Sequence, residues 1–220
     1  MPRFVAYTSM NYDLYLEKSN KMELPEFLHD LTGGGDRPSL KYASEIFSML
    51  EVIKVKKKQV LLHLGEVCDN IYFIKSGIVK GSIIDEYGDL HTIRFVAEND
   101  VMTSMYSFVD QTPSNIQLQC VEAGEVMCFN HQDFMYINKL YPGLLPAFQK
   151  LMLKRYHDQL DEKSRMITND ATTRYLKFME RYKNIEERLP LKDIASYLGI
   201  RQQSLSRLRS KMDPESVDMH

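Results

Sequence analysis

The segment from Leu191 to Lys211 constrains the fold more than any other, because its pattern indicates two short helices around a tight turn at Gly199. Ala195, Gly199 and Leu205 are spaced four and then six residues apart. In two crossed helices, a small residue lets the helices approach, glycine supplies a left-handed turn, and an aliphatic residue fills the angle between them. The spacing therefore predicts a bihelical unit, although on its own it leaves an ordinary helical hairpin open.

The second of these helices is predicted to have one apolar side and one polar side. At about 100° per residue, Leu205, Leu208 and Met212 fall together and are predicted to face inward. Gln203, Ser206, Arg207 and Ser210 then point the opposite way, with Lys211 at the edge and Gln202 in the first turn. The candidate DNA-binding residues are Arg201, Gln202, Gln203, Ser204, Ser206, Arg207, Ser210 and Lys211. Arg binds guanine and Gln binds adenine through two groups each, and Ser contacts bases or phosphates. The set as a whole predicts a DNA-binding surface, whereas any one member alone could equally be a solvated side chain.

Charge is distributed unevenly along the chain. The 220 residues carry 28 Lys and Arg against 30 Asp and Glu, a net charge of −2. Residues 171–212, however, contain ten basic and four acidic residues, so this part carries +6 and the remainder −8. Basic charge neutralises phosphates and releases counterions, which is the main source of non-specific DNA affinity. The asymmetry favours a basic nucleic-acid-binding module, with a merely basic helical tail as the alternative.

Several classes of protein are not expected. No apolar run approaches the ~20 residues of a membrane helix, and the first seven residues lack the apolar core of a secretion signal. The cysteines, Cys68, Cys120 and Cys128, are isolated, which predicts buried reduced thiols and a cytoplasmic protein. Neither they nor the six histidines have metal-ligand spacing, so we expect no metal and no cofactor. No catalytic motif is present, so an enzyme is not expected and no catalytic residue is assigned.

The middle of the chain alternates like antiparallel sheet. Strands are predicted at 71–77, 78–84, 90–96, 116–121 and 126–129, with turns near Gly77, at 86–89 and at Gly124. Helices are predicted at 39–50, at 131–140, from Pro146 to Met166, and after a cap at Asn169 or Asp170. The fold class is therefore α+β, with a small β-barrel or β-roll, then a long helix, then a helical module.

This order of elements and two sequence segments resemble the Crp/Fnr family, the cyclic-AMP receptor-like bacterial transcription regulators. The segments are Asp170-Ala-Thr-Thr-Arg-Tyr-Leu-Lys-Phe and Ile194-Ala-Ser-Tyr-Leu-Gly-Ile-Arg-Gln-Gln-Ser-Leu-Ser-Arg-Leu-Arg, and the resemblance extends over residues 39–212. It implies a cyclic-nucleotide-binding-like β-roll (37–143), a dimerisation helix (144–168) and a helix-turn-helix domain (169–220). The flexible break predicted at Thr32-Gly-Gly-Gly-Asp36 separates these from an N-terminal extension (1–36). The resemblance also implies double-stranded DNA, a second copy of the chain and RNA polymerase as partners, with Gln202, Gln203 and Arg207 at recognition positions.

The chain departs from the family pattern at two places. The family's Gly-Glu and Arg-Ser pairs, which hold a cyclic nucleotide, align with Thr103-Ser104 and Ser114-Asn115, and no Lys or Arg occurs between residues 95 and 138. A buried phosphate without a cation is costly, so this degenerate effector site predicts no cyclic-AMP binding. At the DNA-reading positions, Gln202-Gln203 replaces the prototype's Arg-Glu, so the prototype's operator is not expected.

Two hypotheses for function remain open together. The first is a dimeric, sequence-specific DNA-binding transcription regulator that is not controlled by cyclic AMP. The second is a sensor whose roll binds an unidentified small-molecule effector. Six residues could line an apolar effector pocket, although aromatic and Met side chains more often fill a core; they are Tyr72, Phe73, Met102, Met105, Tyr106 and Phe108. A filled interior would favour the first hypothesis.

Overall fold

The structure, a computed structural model, describes residues 49–140 and 169–212 and, between them, residues 142, 145, 146, 148–150, 153, 156, 157 and 160. The expected extension over 1–36 and nearly all of the helix expected over 39–50 lie outside the described residues. Residues 161–168, the end of the predicted long helix, lie outside them as well. The described residues from 145 to 160 are helical.

The N-terminal half of the described chain forms two four-stranded antiparallel sheets. The first sheet has the order β1-β8-β3-β6, and its strands are Glu51–Val55 (β1), Gly124–Asn130 (β8), Asn70–Ser76 (β3) and Val101–Met102 (β6). The second has the order β2-β7-β4-β5, and its strands are Val60–Leu62 (β2), Gln117–Cys120 (β7), Val79–Ile84 (β4) and Leu90–Val96 (β5). The five predicted strands are confirmed to within two residues at each end. The prediction missed β1, β2 and β6, of which β2 and β6 are too short to show a period of two.

The predicted turns differ in what they connect. The turn at 86–89 joins β4 and β5 into a hairpin, as expected, with Ile84 paired to Leu90. The other two turns carry the chain from one sheet to the other, because β3 and β4 lie in different sheets and so do β7 and β8. Gly77 has φ +97°, and a Cβ added there would lie 3.2 Å from the Ala123 carbonyl oxygen. A Cβ at Gly124 would overlap the Ser76 carbonyl group, so the two crossings lie in direct contact.

The space between the sheets holds the larger of two hydrophobic clusters. Two short helices close it, Met105–Asp110 (α1) and His131–Leu140 (α2), and α2 has the predicted bounds. The rings of Phe108, Phe134 and Phe148 meet with centroids 5.1–6.1 Å apart, so Phe148 fixes the 145–160 segment against the roll. The three cysteines are buried free thiols, as predicted, and burial raises the pKa of Cys120 and Cys128 to about 11. No helix in the described part of the chain is long and apolar enough to cross a bilayer.

The C-terminal part contains three helices and a 3₁₀ turn. They are Ala171–Tyr182 (α3), the turn Glu186–Arg188, Leu191–Leu198 (α4) and Gln202–Met212 (α5). Asp170, rather than Asn169, caps α3, since its Oδ1 accepts the Thr173 N–H at 2.7 Å. This cap satisfies one of the backbone donors that every helix start leaves without a partner.

A second hydrophobic cluster joins the helices to the outside of the roll. Phe95 of β5 lies edge-on to Tyr182, with centroids 5.5 Å apart, and 5.8 Å from the Tyr197 ring. Ile78, between β3 and β4, and Val121, between β7 and β8, belong to the same cluster, and the Val121 N–H donates to the Ile78 carbonyl at 2.7 Å. The helices therefore pack on the roll at the place where the chain crosses between the sheets.

We expect Gly124→Ala to lower the free energy of unfolding by about 3 kcal/mol, because the new methyl group meets the Ser76 backbone, which cannot move aside. Gly81→Ala is the matched control: it also lies in the roll, but its Cβ would make ordinary contacts of 3.6–3.9 Å. Urea unfolding of both variants measures the difference. Equal, small losses would contradict the close approach of the crossings.

Candidate nucleic-acid interface

The turn between α4 and α5 has the geometry that the sequence predicts. Gly199 has φ +64° and ψ 36°, a left-handed conformation that favours glycine. The Ile200 N–H donates to the Ala195 carbonyl at 3.0 Å and the Gly199 N–H to the Ser196 carbonyl at 3.1 Å, which together end α4 in a Schellman motif. Leu205 is fully buried, as is Ile194 of α4. Ala195, Gly199 and Leu205 together set the angle between α4 and α5.

The exposed side of α5 carries the predicted polar set. All eight predicted residues are exposed: Arg201, Gln202, Gln203, Ser204, Ser206, Arg207, Ser210 and Lys211. The Ser210 hydroxyl donates to the Ser206 carbonyl at 3.1 Å. Met212 was predicted to face inward, and this is wrong, since 40% of the residue is exposed. It lies in the last turn of α5, seven residues beyond Leu205, where the helix end leaves it open to solvent.

Arg209 faces inward and was missed by the sequence analysis. Its Nε donates to the Tyr175 hydroxyl at 3.0 Å, and its guanidinium carbon lies 5.8 Å from the centre of the Tyr175 ring. The same guanidinium forms an ion pair with Glu186, whose carboxylate is buried. Four residues after Leu205, Arg209 lies about 40° from it around the helix, and this angle was the available signal.

Two polar contacts fix α4 to the second sheet. Lys80 Nζ of β4 lies 2.6 Å from Asp193 Oδ1, and both side chains are largely buried. The backbone N–H of Thr92 donates to Ser196 Oγ at 2.9 Å. A largely buried ion pair costs stability when one partner is removed, because the other charge is left without compensation. These contacts set the position of α4, and through Gly199 that of α5, relative to the roll.

A third polar contact joins the 3₁₀ turn to the sheet crossings. The Arg188 guanidinium donates to both carboxylate oxygens of Glu98, at 2.7 and 3.0 Å, and also contacts Glu122. Glu98 in turn accepts the Gly77 N–H at 2.8 Å. These hydrogen bonds, that from Arg188 above all, lower the pKa of Glu98 to about 2, and the two carboxylates raise the pKa of Arg188. The ion pair is thus present throughout the physiological pH range.

The aligned effector positions lie together in the roll, but their hydroxyl groups are already bonded within the protein. Ser104 and Ser114 are buried, and their Oγ atoms are 2.7 Å apart. Ser114 Oγ also accepts the Ile116 N–H at 3.0 Å. The Thr103 hydroxyl donates to the Asn70 carbonyl at 3.0 Å. Asn115 is exposed.

Neighbouring groups extend this network. Ser107 Oγ accepts the Cys68 N–H at 2.8 Å, and Cys68 Sγ lies 3.4 Å from Thr103 Oγ1. Arg94, the cation that precedes these positions in the sequence, has its Nη2 3.5 Å from Asp100 Oδ2. Among the described residues, no cluster of three or more His, Cys, Asp or Glu side chains could hold a metal ion. The aligned positions therefore offer neutral, self-bonded hydroxyls.

The residues that could have lined an apolar pocket belong to the core, with one exception. Tyr72, Phe73, Met102 and Phe108 are buried in the larger cluster, and Met105 packs against it. The Tyr72 hydroxyl donates to the Leu61 carbonyl at 2.9 Å, and burial raises its pKa. The expectation was wrong for Tyr106, which is neither pocket nor core and is 74% exposed on α1.

Comparison with known proteins identifies the roll. Residues 52–139 match the cyclic nucleotide-binding domain family. The solved structure described as the c-di-GMP-responsive global regulator CLP of Xanthomonas campestris superposes with a TM-score of 0.66 at 13% identity, covering 81% of this chain and 93% of that one. No curated protein matches the sequence.

Two further solved structures share the fold. One is described as a transcriptional regulator of the Crp/Fnr family from Eubacterium rectale, with TM-score 0.63 and 17% identity over 80% of this chain and 83% of that one. The other is the catabolite activator protein of Thermus thermophilus, with TM-score 0.54 and 14% identity over 86% of this chain and 88% of that one. The resemblance inferred from the sequence is confirmed in the fold, and all three relatives are described as regulators or activators, not as enzymes.

Proposed function

We propose that this chain, which carries a domain of the cyclic nucleotide-binding family within the fold of Crp/Fnr regulators, is a sequence-specific DNA-binding transcription regulator. The observation that carries the proposal is the division of α5 into two sides. Leu205 and Arg209 face the protein, while the polar set from Arg201 to Lys211 is exposed. This division is what a helix needs in order to enter the major groove while its back stays attached to the protein.

Charge supports the same proposal. The +6 of residues 171–212 gives this part of the chain the sign that phosphates require, in a protein that is otherwise acidic. We assign base contacts to Gln202, Gln203 and Arg207 and phosphate contacts to Lys211, with Arg201 and the serines available for either.

The proposed domains are a roll at 37–143, a dimerisation helix at 144–168 and a helix-turn-helix domain at 169–220. RNA polymerase is the further proposed partner, and the reduced cysteines fit the cytoplasm.

Arg207→Ala is expected to weaken binding to the cognate duplex by ~1–3 kcal/mol and to relax preference at one base position, because a bidentate contact with one base is lost. The cognate sequence is first selected from a random duplex library with the full chain. Affinities of the variant for that site, its single-base substitutions and random duplex are then compared by fluorescence anisotropy.

Lys211→Ala is the matched control for this measurement, since Lys211 is exposed on the same helix. A phosphate contact has no sequence preference, so this variant should weaken all duplexes alike and reduce the dependence on salt. Equal losses on specific and random DNA for Arg207→Ala would remove Arg207 from the base-reading set.

Dimerisation is proposed from an apolar stripe on the 145–160 segment. Leu153, Tyr156 and Leu160 are 57%, 55% and 43% exposed and are spaced three and four residues apart. At about 100° per residue they fall within about 60° of one another on one side of a helix, as the seam of a helix pair requires. A second copy is also needed for selectivity, because one helix-turn-helix reads only a few base pairs and two read half-sites ~34 Å apart.

Leu153→Lys with Leu160→Lys is expected to convert the dimer into a monomer at micromolar concentration, because two like charges then face their own symmetry copies. Sedimentation velocity of the full chain measures this. Leu176→Lys is the control, since Leu176 is 49% exposed on α3, outside the stripe. A wild-type chain that sediments as a monomer both with and without DNA would contradict the proposal.

The roll is proposed not to respond to cyclic nucleotides. A cyclic phosphate carries a full negative charge, and Ser104 and Ser114 can offer only neutral hydroxyls that already bond to each other. Neutral hydrogen bonds are roughly half as strong as charge-assisted ones. The alternative, a roll that senses another small molecule, has less support, because five of its six proposed lining residues pack in or against the core.

Calorimetry of the full chain with cyclic AMP and cyclic GMP should therefore show no binding at micromolar concentration, since a lost cationic contact is enough to move micromolar affinity to about millimolar. DNA affinity should be the same with and without either nucleotide. Micromolar binding would contradict the proposal, and Arg94→Gln would then test whether the nearest preceding cation supplies the missing charge.

A further inference from the structure

The 3₁₀ turn at 186–188 contacts both halves of the described molecule through residues two positions apart. Glu186 pairs with Arg209 of α5, on the helical side. Arg188 pairs with Glu98 and contacts Glu122, on the side of the roll. We propose that this turn is an electrostatic relay, in which Arg188 is a positioning residue that ties the orientation of α5 to the crossing of the two sheets. The consequence for DNA binding rests on the function proposed above.

At the roll, Arg188 contacts two carboxylates, each of which lies next to one of the two sheet crossings. Glu98 accepts the Gly77 N–H at 2.8 Å, so it is bonded to the first crossing. Glu122 precedes Ala123 and Gly124, which form the second crossing. Since Gly77 and Gly124 lie in van der Waals contact, any change in the angle between the sheets moves both carboxylates. A guanidinium that bonds both of them follows that movement.

At α5, the relay ends in a buried charge. Glu186 is 6% exposed, and its described cationic neighbour is Arg209, which is also held by the Tyr175 hydroxyl. A rotation of α5 that withdrew Arg209 would leave a buried carboxylate without compensation, which is strongly unfavourable. The turn and the back of α5 therefore move as one body.

The two ends of the relay differ in how deeply their charged groups are buried. The side chains of Arg188, Glu98 and Glu122 are 36%, 33% and 29% exposed, whereas at the α5 end Arg209 is 37% exposed and Glu186 is 8% exposed. Ion pairs that are this open to water contribute little to overall stability and exchange readily with solvent. The roll end is thus open to water at all three side chains, whereas separating the α5 pair would leave the buried Glu186 carboxylate without compensation. This difference in burial favours a role for Arg188 in positioning α5 rather than in stabilising the fold.

The experiment compares three variants of the full chain on the selected cognate duplex. Arg188→Gln should weaken binding about tenfold, because α5 must then be ordered at the moment of binding. Glu98→Gln with Glu122→Gln should weaken it by a similar factor, since the Gln Oε1 at 98 still accepts the Gly77 N–H, whereas the bidentate, charge-assisted contact of Arg188 with Glu98 and its ion pair with Glu122 are lost. The triple variant should lose no more than either, because all three changes break one contact.

The double Gln variant distinguishes the relay from a direct contact of Arg188 with DNA, because the two hypotheses predict opposite changes in DNA affinity. If Arg188 simply bound a phosphate, removing two carboxylates near it would raise DNA affinity by electrostatics alone. A gain in affinity, an unchanged affinity or additive losses in the triple variant would each overturn the proposal. Glu187→Gln, which removes an exposed carboxylate from the same turn, is the matched control and should behave as wild type. Arg188→Lys should fall between Gln and Arg, because an ammonium is a point charge without the planar fork.

A second measurement does not need DNA. Amide hydrogen exchange of residues 199–212 should rise several-fold in Arg188→Gln and not in Glu187→Gln, with the thermal midpoint of either variant changed by no more than a few degrees. Unchanged exchange in Arg188→Gln would overturn the relay. If the wild-type chain bound no duplex from the library, the proposed function would fail, and the exchange result would still decide the relay.

Discussion

The close approach of Gly77 and Gly124 is the contact on which the rest of the structure depends. Each glycine lies where the chain passes from one sheet to the other, and a side chain at either position meets backbone atoms of the other crossing. Backbone groups cannot repack as side chains do, so this contact restricts how the two sheets can pack against each other. Ile78 and Val121, joined by a backbone hydrogen bond next to these crossings, become an apolar platform on the outside of the roll.

The C-terminal helices use this platform, and polar groups around it specify how they sit. Burial of Phe95 against the rings of Phe178, Tyr182 and Tyr197 stabilises the contact between the helices and the roll, but it does little to fix the orientation of the helices. The orientation of the helices is set by ion pairs, such as Lys80 with Asp193 and Arg188 with Glu98. The outward side of α5 is therefore placed by contacts that lie some distance from any residue predicted to touch DNA.

The fold of the roll and the proposed absence of cyclic-nucleotide binding have different physical causes. The roll needs apolar alternation and two glycines at its crossings, and these are present. The family resemblance implies a glutamate and an arginine in a cyclic-nucleotide site, and at the aligned positions here Ser104 and Ser114 bond to each other. The sequence predicted the absence of cations, but not that these hydroxyls would satisfy one another, because that depends on two segments ten residues apart meeting at 2.7 Å.

Local pattern by itself determined the strands from β3 to β5, the cap at the start of α3 with its alternative at Asn169, the turn at Gly199 and the burial of Leu205. These features depend on residues close in sequence, so hydrophobic periodicity or backbone preference is enough to predict them. Only the tertiary structure decided which turns are hairpins and which are sheet crossings, that Tyr106 and Met212 are exposed, and that Arg209 faces inward to Glu186. Those outcomes depend on partners such as Tyr175, 34 residues from Arg209. Periodicity says which side of an element a residue occupies, whereas the element packed against that side is chosen by the whole chain.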